Sequence, residues 1–126
     1  MMYEYIEIKR HSSFKRYCKT LELRNDKDLI DTYKEAHAKD KIWPEISGGM
    51  KEVGIIDMEI YISGTRLFMI MDTVPDFDHD KAMKALSLKP RQSEWERYMS
   101  KFQTTSPDAS AGRKWQVVER IYKMEE

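Results

Sequence analysis

Two apolar-rich runs joined by a glycine turn restrict this chain more than any other feature. Residues 55–62 read I-I-D-M-E-I-Y-I and residues 67–73 read L-F-M-I-M-D-T. Both have the length and side-chain types of strands. Ser63-Gly64-Thr65 connects them. So short a link permits only an antiparallel hairpin, since parallel neighbours need a long crossover. Gly54 stops whatever precedes the first run. The fold therefore has to contain this hairpin, and the other elements have to cover it.

Those elements follow in order. Residues 14–23 form a strand candidate with Tyr17, Leu21 and Leu23 on one side. Asn25-Asp26 reads as a turn and helix cap. A first helix runs over about residues 28–38, with Leu29, Ile30, Tyr33 and His37 near one face. Trp43-Pro44 interrupts it, because the residue before a proline is pushed out of helical geometry. A second helical piece spans about 46–53. After the hairpin, Pro75-Asp76 opens a helix with Phe77, Met83 and Leu86 inward, and Lys89-Pro90 breaks it. Residues 93–102 carry Trp95, Tyr98, Met99 and Phe102 at helical spacing. Residues 106–112 have loop composition, and 115–122 read as a closing strand. The order is strand, helix, strand, strand, helix, strand: an α+β, ferredoxin-like βαββαβ pattern with an antiparallel sheet. Helices cover one face of such a sheet, so the other needs a partner. The expected solution is a homodimer, a dimeric α/β barrel. Residues 1–13 are expected to be an arm and 14–126 a single domain.

Bulk composition removes several function classes. The 126 residues are the length of one domain. Lys+Arg and Asp+Glu both number 22, so no net charge draws the chain to nucleic acid or an anionic membrane. No apolar run approaches a membrane span. The single cysteine, Cys18, cannot form an internal disulfide, and M-M-Y-E-Y-I-E-I-K has no apolar signal core. A cytoplasmic setting is expected.

Chemistry concentrates between Tyr33 and Glu45, Y-K-E-A-H-A-K-D-K-I-W-P-E. Four-residue spacing puts Tyr33 and His37 on one helical face. A histidine takes and gives protons near neutrality, and a phenol donates or accepts beside it. The plainer reading is a surface histidine next to a half-buried tyrosine. Trp43 and Trp95 are candidate platforms for a ring, although buried aromatics more often serve the core. Carboxylates near the expected pocket are Glu45, Asp57, Glu59 and Glu96, and the Asp57/Glu59 row either lines a site or faces solvent. His11, His37 and His79 lack ligand spacing, so no metal is expected. No glycine-rich phosphate loop or nucleophile elbow is present. A cofactor-free acid/base reaction or simple ligand binding remains.

The run Tyr33-x3-His37 followed by Ile42-Trp43-Pro44-Glu45 resembles the L-rhamnose mutarotase family. Further pieces fall in the same order: Gly54 with Ile60-Tyr61, Trp95-x2-Tyr98-Met99, Ser106-Pro107-Asp108-x-Ser110 and Glu119-x-Ile121-Tyr122. The resemblance covers about residues 20–122. It implies a dimeric ferredoxin-like fold and cofactor-free interconversion of sugar anomers. It also implies His37 as proton donor and acceptor, with Tyr33 and Trp95 contacting the sugar. Three departures bear on the substrate. Two extra residues separate His37 from Ile42, Met58 stands where the family has a sugar-contacting tyrosine, and Glu96 stands where a second tryptophan is expected. The pattern suggests the same reaction on a related 6-deoxy pyranose, L-fucose among the candidates. Expected substrate contacts are Trp95, Glu96, Met58, Trp43, Asp57 and Glu59. The rival expectations are a non-catalytic sugar-binding protein and a cofactor-free monooxygenase of the same barrel fold.

Overall fold

A computed structural model of the chain describes residues 13–105 and 109–125. Four strands form one antiparallel sheet: β1 (Lys15–Glu22), β2 (Ile55–Ser63), β3 (Arg66–Thr73) and β4 (Gln116–Val118), in spatial order β2-β3-β1-β4. Among the described residues five helices accompany them: α1 (Lys27–Ala36), α2 (Pro44–Glu52), α3 (His79–Ser87), α4 (Gln92–Met99) and α5 (Ala111–Lys114). This is the expected ferredoxin-like arrangement. The expected arm lies, up to residue 12, outside the described residues.

Local chemistry sets most boundaries. Asp26 caps α1, its carboxylate accepting the Leu29 N–H at 3.1 Å. Pro44 occupies the first turn of α2, where its missing N–H costs nothing. Gly48-Gly49 does not break that helix. A Cβ at Gly49 would lie 3.1 Å from the Lys89 Cβ, so the glycine lets α2 approach that segment closely. Gly54 ends it at a φ of +104°, a conformation that other residues rarely adopt.

Two elements differ from expectation. The third helix begins at His79 rather than at Pro75-Asp76, because the carboxylate of Asp78 caps it by accepting the Lys81 N–H. The last strand has only three residues, Gln116–Val118, instead of running over 115–122. Cys18 lies opposite Val118 and Lys19 opposite Val117. Continued in that register, the strand would set Arg120 against Arg16, which is already held by Asp72 at 2.8 Å. Like charges facing across a ladder oppose pairing. The chain leaves the sheet there, and Ile121 is 90% exposed.

The core lies between the helices and one sheet face. Leu21 and Leu23 of β1, Leu67, Met69 and Met71 of β3, Ile46, Leu86, Trp95 and Met99 are all buried in it. In β2 a bulge sits between Ile55 and Asp57: Ile55 is opposite Thr73, yet Asp57 is opposite Asp72. The extra residue reverses the alternation. Met58, Ile60 and Ile62 therefore share the helix-side face with Met71, Met69 and Leu67, while Asp57, Glu59 and Tyr61 turn to the open face.

Candidate active site

A cavity of about 330 Å³ lies in that core, within the range of small-molecule sites. Its apolar wall is rich in methionine, including Met50, Met58, Met69, Met71, Met83 and Met99. Its polar lining comes from Tyr33 of α1 and His37 at its C-terminal cap, Ser47 of α2, Glu96 of α4, Lys19 of β1 and Gln103.

Helical geometry fixes the first pair. The Tyr33 and His37 rings stack at 4.3 Å and 23°. The Nδ1 of His37 lies 2.8 Å from the Tyr33 carbonyl oxygen. A carbonyl only accepts, so Nδ1 carries the proton and Nε2 keeps its lone pair. Burial lowers the His37 pKa, with the Tyr33 carbonyl working against that shift. The result is a neutral imidazole with a basic nitrogen, the form that removes a proton. Burial raises the Tyr33 hydroxyl pKa, as does Glu96, against a hydrogen bond from Gln103. Tyr33 therefore stays protonated at neutral pH and can only position or relay.

Trp95 closes one side, its ring edge-on to His37 at 5.4 Å. Next to it Glu96 is only 8% exposed. Its carboxylate accepts from Gln92 Nε2 at 2.7 Å and pairs with Lys114 Nζ at 3.0 Å. The Lys114 ammonium also donates to the Glu96 backbone oxygen. Burial pushes both members toward their neutral forms, Glu96 up and Lys114 down, while their attraction opposes it.

The structure brings together His37, Tyr33, Trp95, Glu96 and Met58 around the cavity. It does not bring Asp57 and Glu59 there. The β2 bulge puts both on the open sheet face, where they are exposed. Trp43 also lies outside the lining. As the residue before Pro44 it is held extended, and its ring stacks on Tyr98 at 6.0 Å and under the Arg91 guanidinium at 4.0 Å. It meets Trp95 edge-on at 5.1 Å, so it supports the wall rather than forming it. Lys19, Glu96, Gln103 and Ser47 supply polar groups to the cavity instead.

Sequence reasoning missed Lys19 and Lys114. Lys19 had a legible signal, a single cation between Tyr17 and Leu21 on the apolar side of its strand. Lys114 had none, because its partner lies 18 residues away in sequence. Among the described residues no cluster of three or more His, Cys, Asp and Glu side chains is placed to hold a metal. No helix there is long and apolar enough to cross a membrane.

The model of the L-rhamnose mutarotase family matches residues 16–124 of this chain. The chain belongs to that family. An L-fucose mutarotase of Xanthomonas campestris pv. campestris is 34% identical over 114 residues, covering 90% of this chain and 91% of its own. An L-rhamnose mutarotase of Acidiphilium cryptum is also 34% identical, over 80 residues, covering 62% of this chain and 71% of its own. The crystal structure of an L-rhamnose mutarotase from Formosa agariphila aligns with a TM-score of 0.63 at 21% identity, over 88% of this chain and 99% of that one. That likeness bears on the fold alone. Sugar mutarotases are isomerases, and family membership puts this chain among them.

Proposed function

We propose that this chain interconverts the α and β anomers of a 6-deoxy hexopyranose without a cofactor, with L-fucose the first candidate. The observation that carries the reading is His37, stacked on Tyr33 and lining a cavity beside Trp95 and Glu96. Extensive similarity to an L-fucose mutarotase favours that sugar over L-rhamnose.

The chemistry follows from the groups present. His37 Nε2 removes the proton of the anomeric hydroxyl. The carbonyl forms as the bond between C1 and the ring oxygen breaks, and the ring oxygen takes up a proton. Rotation about C1–C2 presents the other carbonyl face, and the reverse transfers close the ring. Trp95 and the methionine wall hold the ring's C–H surface and exclude water. Glu96, fixed by Gln92 and Lys114, accepts hydrogen bonds from sugar hydroxyls. Tyr33 orients the imidazole or relays a proton. Saturation-transfer NMR on L-fucose and L-rhamnose tests this. Anomer exchange well above the buffer rate is expected for L-fucose. Exchange no faster than in buffer on either sugar would end the enzyme claim.

The same proposal includes a homodimer and, with Cys18 unpaired, a reducing cytoplasmic setting. The open sheet face carries exposed Tyr61, Phe68 and Val118, and the exposed Ile121 and Tyr122 extend past β4. Monomers rarely leave this much contiguous apolar surface uncovered. Light scattering after size exclusion should give twice the 15.1 kDa chain mass, and Phe68→Asp should return it to one chain. A wild-type mass of one chain at micromolar concentration refutes the dimer.

A further inference from the structure

Among the described residues two lysines are buried, and they differ in kind. Lys114 has Glu96 as its counter-ion. Lys19 is 1% exposed, and among the described residues its side chain makes no hydrogen bond or ion pair, with only the more distant charge of Asp80 acting on it. It sits mid-strand on β1 opposite Met69, on the helix-side face, and it lines the same cavity as Tyr33, His37 and Glu96. A lysine held in so buried a position with no ion-pair partner is costly, and such groups concentrate where they have work to do. Its unused donors require an acceptor, and the cavity is where one can bind.

The sugar reaction has an open role of matching kind. His37 accounts for the proton leaving the anomeric hydroxyl, but the ring oxygen needs a donor. Tyr33 is too weak an acid, its pKa being raised by burial. Glu96 is tied to Gln92 and Lys114. We propose that Lys19 is the second proton-transfer group: its ammonium hydrogen-bonds the pyranose ring oxygen, protonates it as the ring opens, and recovers that proton as the ring closes. This rests on the mutarotase reading above. The step balances within the site. In opening, Lys19 Nζ gives one proton to the oxygen leaving C1 while His37 Nε2 holds the one taken from the hydroxyl. In closing, the C5 hydroxyl returns its proton to the Lys19 amine as it attacks C1, and His37 protonates the former carbonyl oxygen.

The electrostatics agree. Burial lowers the Lys19 pKa to about 8, with Asp80 at the start of α3 opposing the shift. A donor near that value releases its proton far more readily than an ordinary lysine near 10.4, and catalytic efficiency favours such matching. The titratable groups around it are His37 and Tyr33 from α1, Glu96 from α4 with Lys114 from α5, and Asp80 from α3; α2, β2 and β3 contribute uncharged side chains to the cavity.

The test is anomer-exchange NMR on L-fucose with wild type, Lys19→Met and Lys19→Arg, after subtraction of the buffer rate. Wild-type exchange should decline as pH rises through about 8, where the ammonium is lost. Lys19→Met should fold, melt higher for lack of an unpaired buried charge, and still bind the sugar, with exchange at saturation down about 10²- to 10⁴-fold. Lys19→Arg should bind but stay slow, because a guanidinium does not release its proton near neutrality. Three results overturn the proposal: a wild-type profile flat from pH 7 to 10, a Lys19→Met variant with the wild-type rate at saturation, or one that loses affinity only. The wild-type profile decides even if neither variant folds. Failure of the mutarotase reading would look different, with wild type exchanging no sugar at all.

Discussion

His37→Ala is expected to slow anomer exchange by about 10²- to 10⁴-fold, the usual contribution of a positioned acid/base group. The fold should survive the change. His37 lies at the C-terminal cap of α1, half-buried, and its backbone N–H still donates to the Lys34 carbonyl without the ring. What goes is the stack on Tyr33 and the Nδ1 hydrogen bond, a loss of about 1 kcal/mol. Exchange at saturating sugar and a melting curve on the same sample separate catalysis from stability. A variant within threefold of wild type would remove His37 from the reaction.

The pH behaviour of His37 gives a sign that can be checked. Burial holds its pKa below the ordinary value of about 6.5. The base form is therefore present at neutrality, and on the acid side activity should fall as pH drops through that lowered value. Stability moves in the same direction. Between the folded and unfolded values the unfolded chain binds more protons, so stability declines as pH falls below about 6.5. His37→Ala should lose this component of the decline.

Lys114→Met is expected to destabilise the protein by about 3–5 kcal/mol, the cost of breaking a buried ion pair from one side. Glu96 would keep Gln92 as a donor to its carboxylate but lose the cation that offsets its burial. Its pKa would then rise further above the ordinary carboxylate value. A carboxyl raised in the folded state costs stability as pH rises through the unfolded value, about 4.3, so the variant should be relatively better at low pH. Glu96→Gln with Lys114→Met should recover most of the loss, since a neutral amide needs no counter-ion. Urea denaturation of the two singles and the double measures the coupling. A single-variant cost below about 1 kcal/mol would show that the pair is not held in the interior as described.

Much of the architecture was legible because it depends on short-range chemistry. The hairpin followed from Ser63-Gly64-Thr65, the α1 cap from Asp26, and the α4 stripe from Trp95 and Met99 at helical spacing. The Tyr33–His37 stack belongs with these, since four residues along a helix make neighbours whatever surrounds them. Strand faces were less legible. Asp57 and Glu59 shared a face with each other in any reading, but which face depended on one bulged residue against β3. The end of β4 depended on a charge carried by β1.

By itself, then, the sequence determined the order of the elements and placed the phenol and imidazole side by side. Both are consequences of backbone periodicity within a few residues. Tertiary structure alone decided that Trp43 backs the wall, that Lys114 neutralises Glu96, and that Lys19 stands buried without a counter-ion. Those facts arise where elements far apart in sequence meet, because burial and pairing are properties of the packed interior.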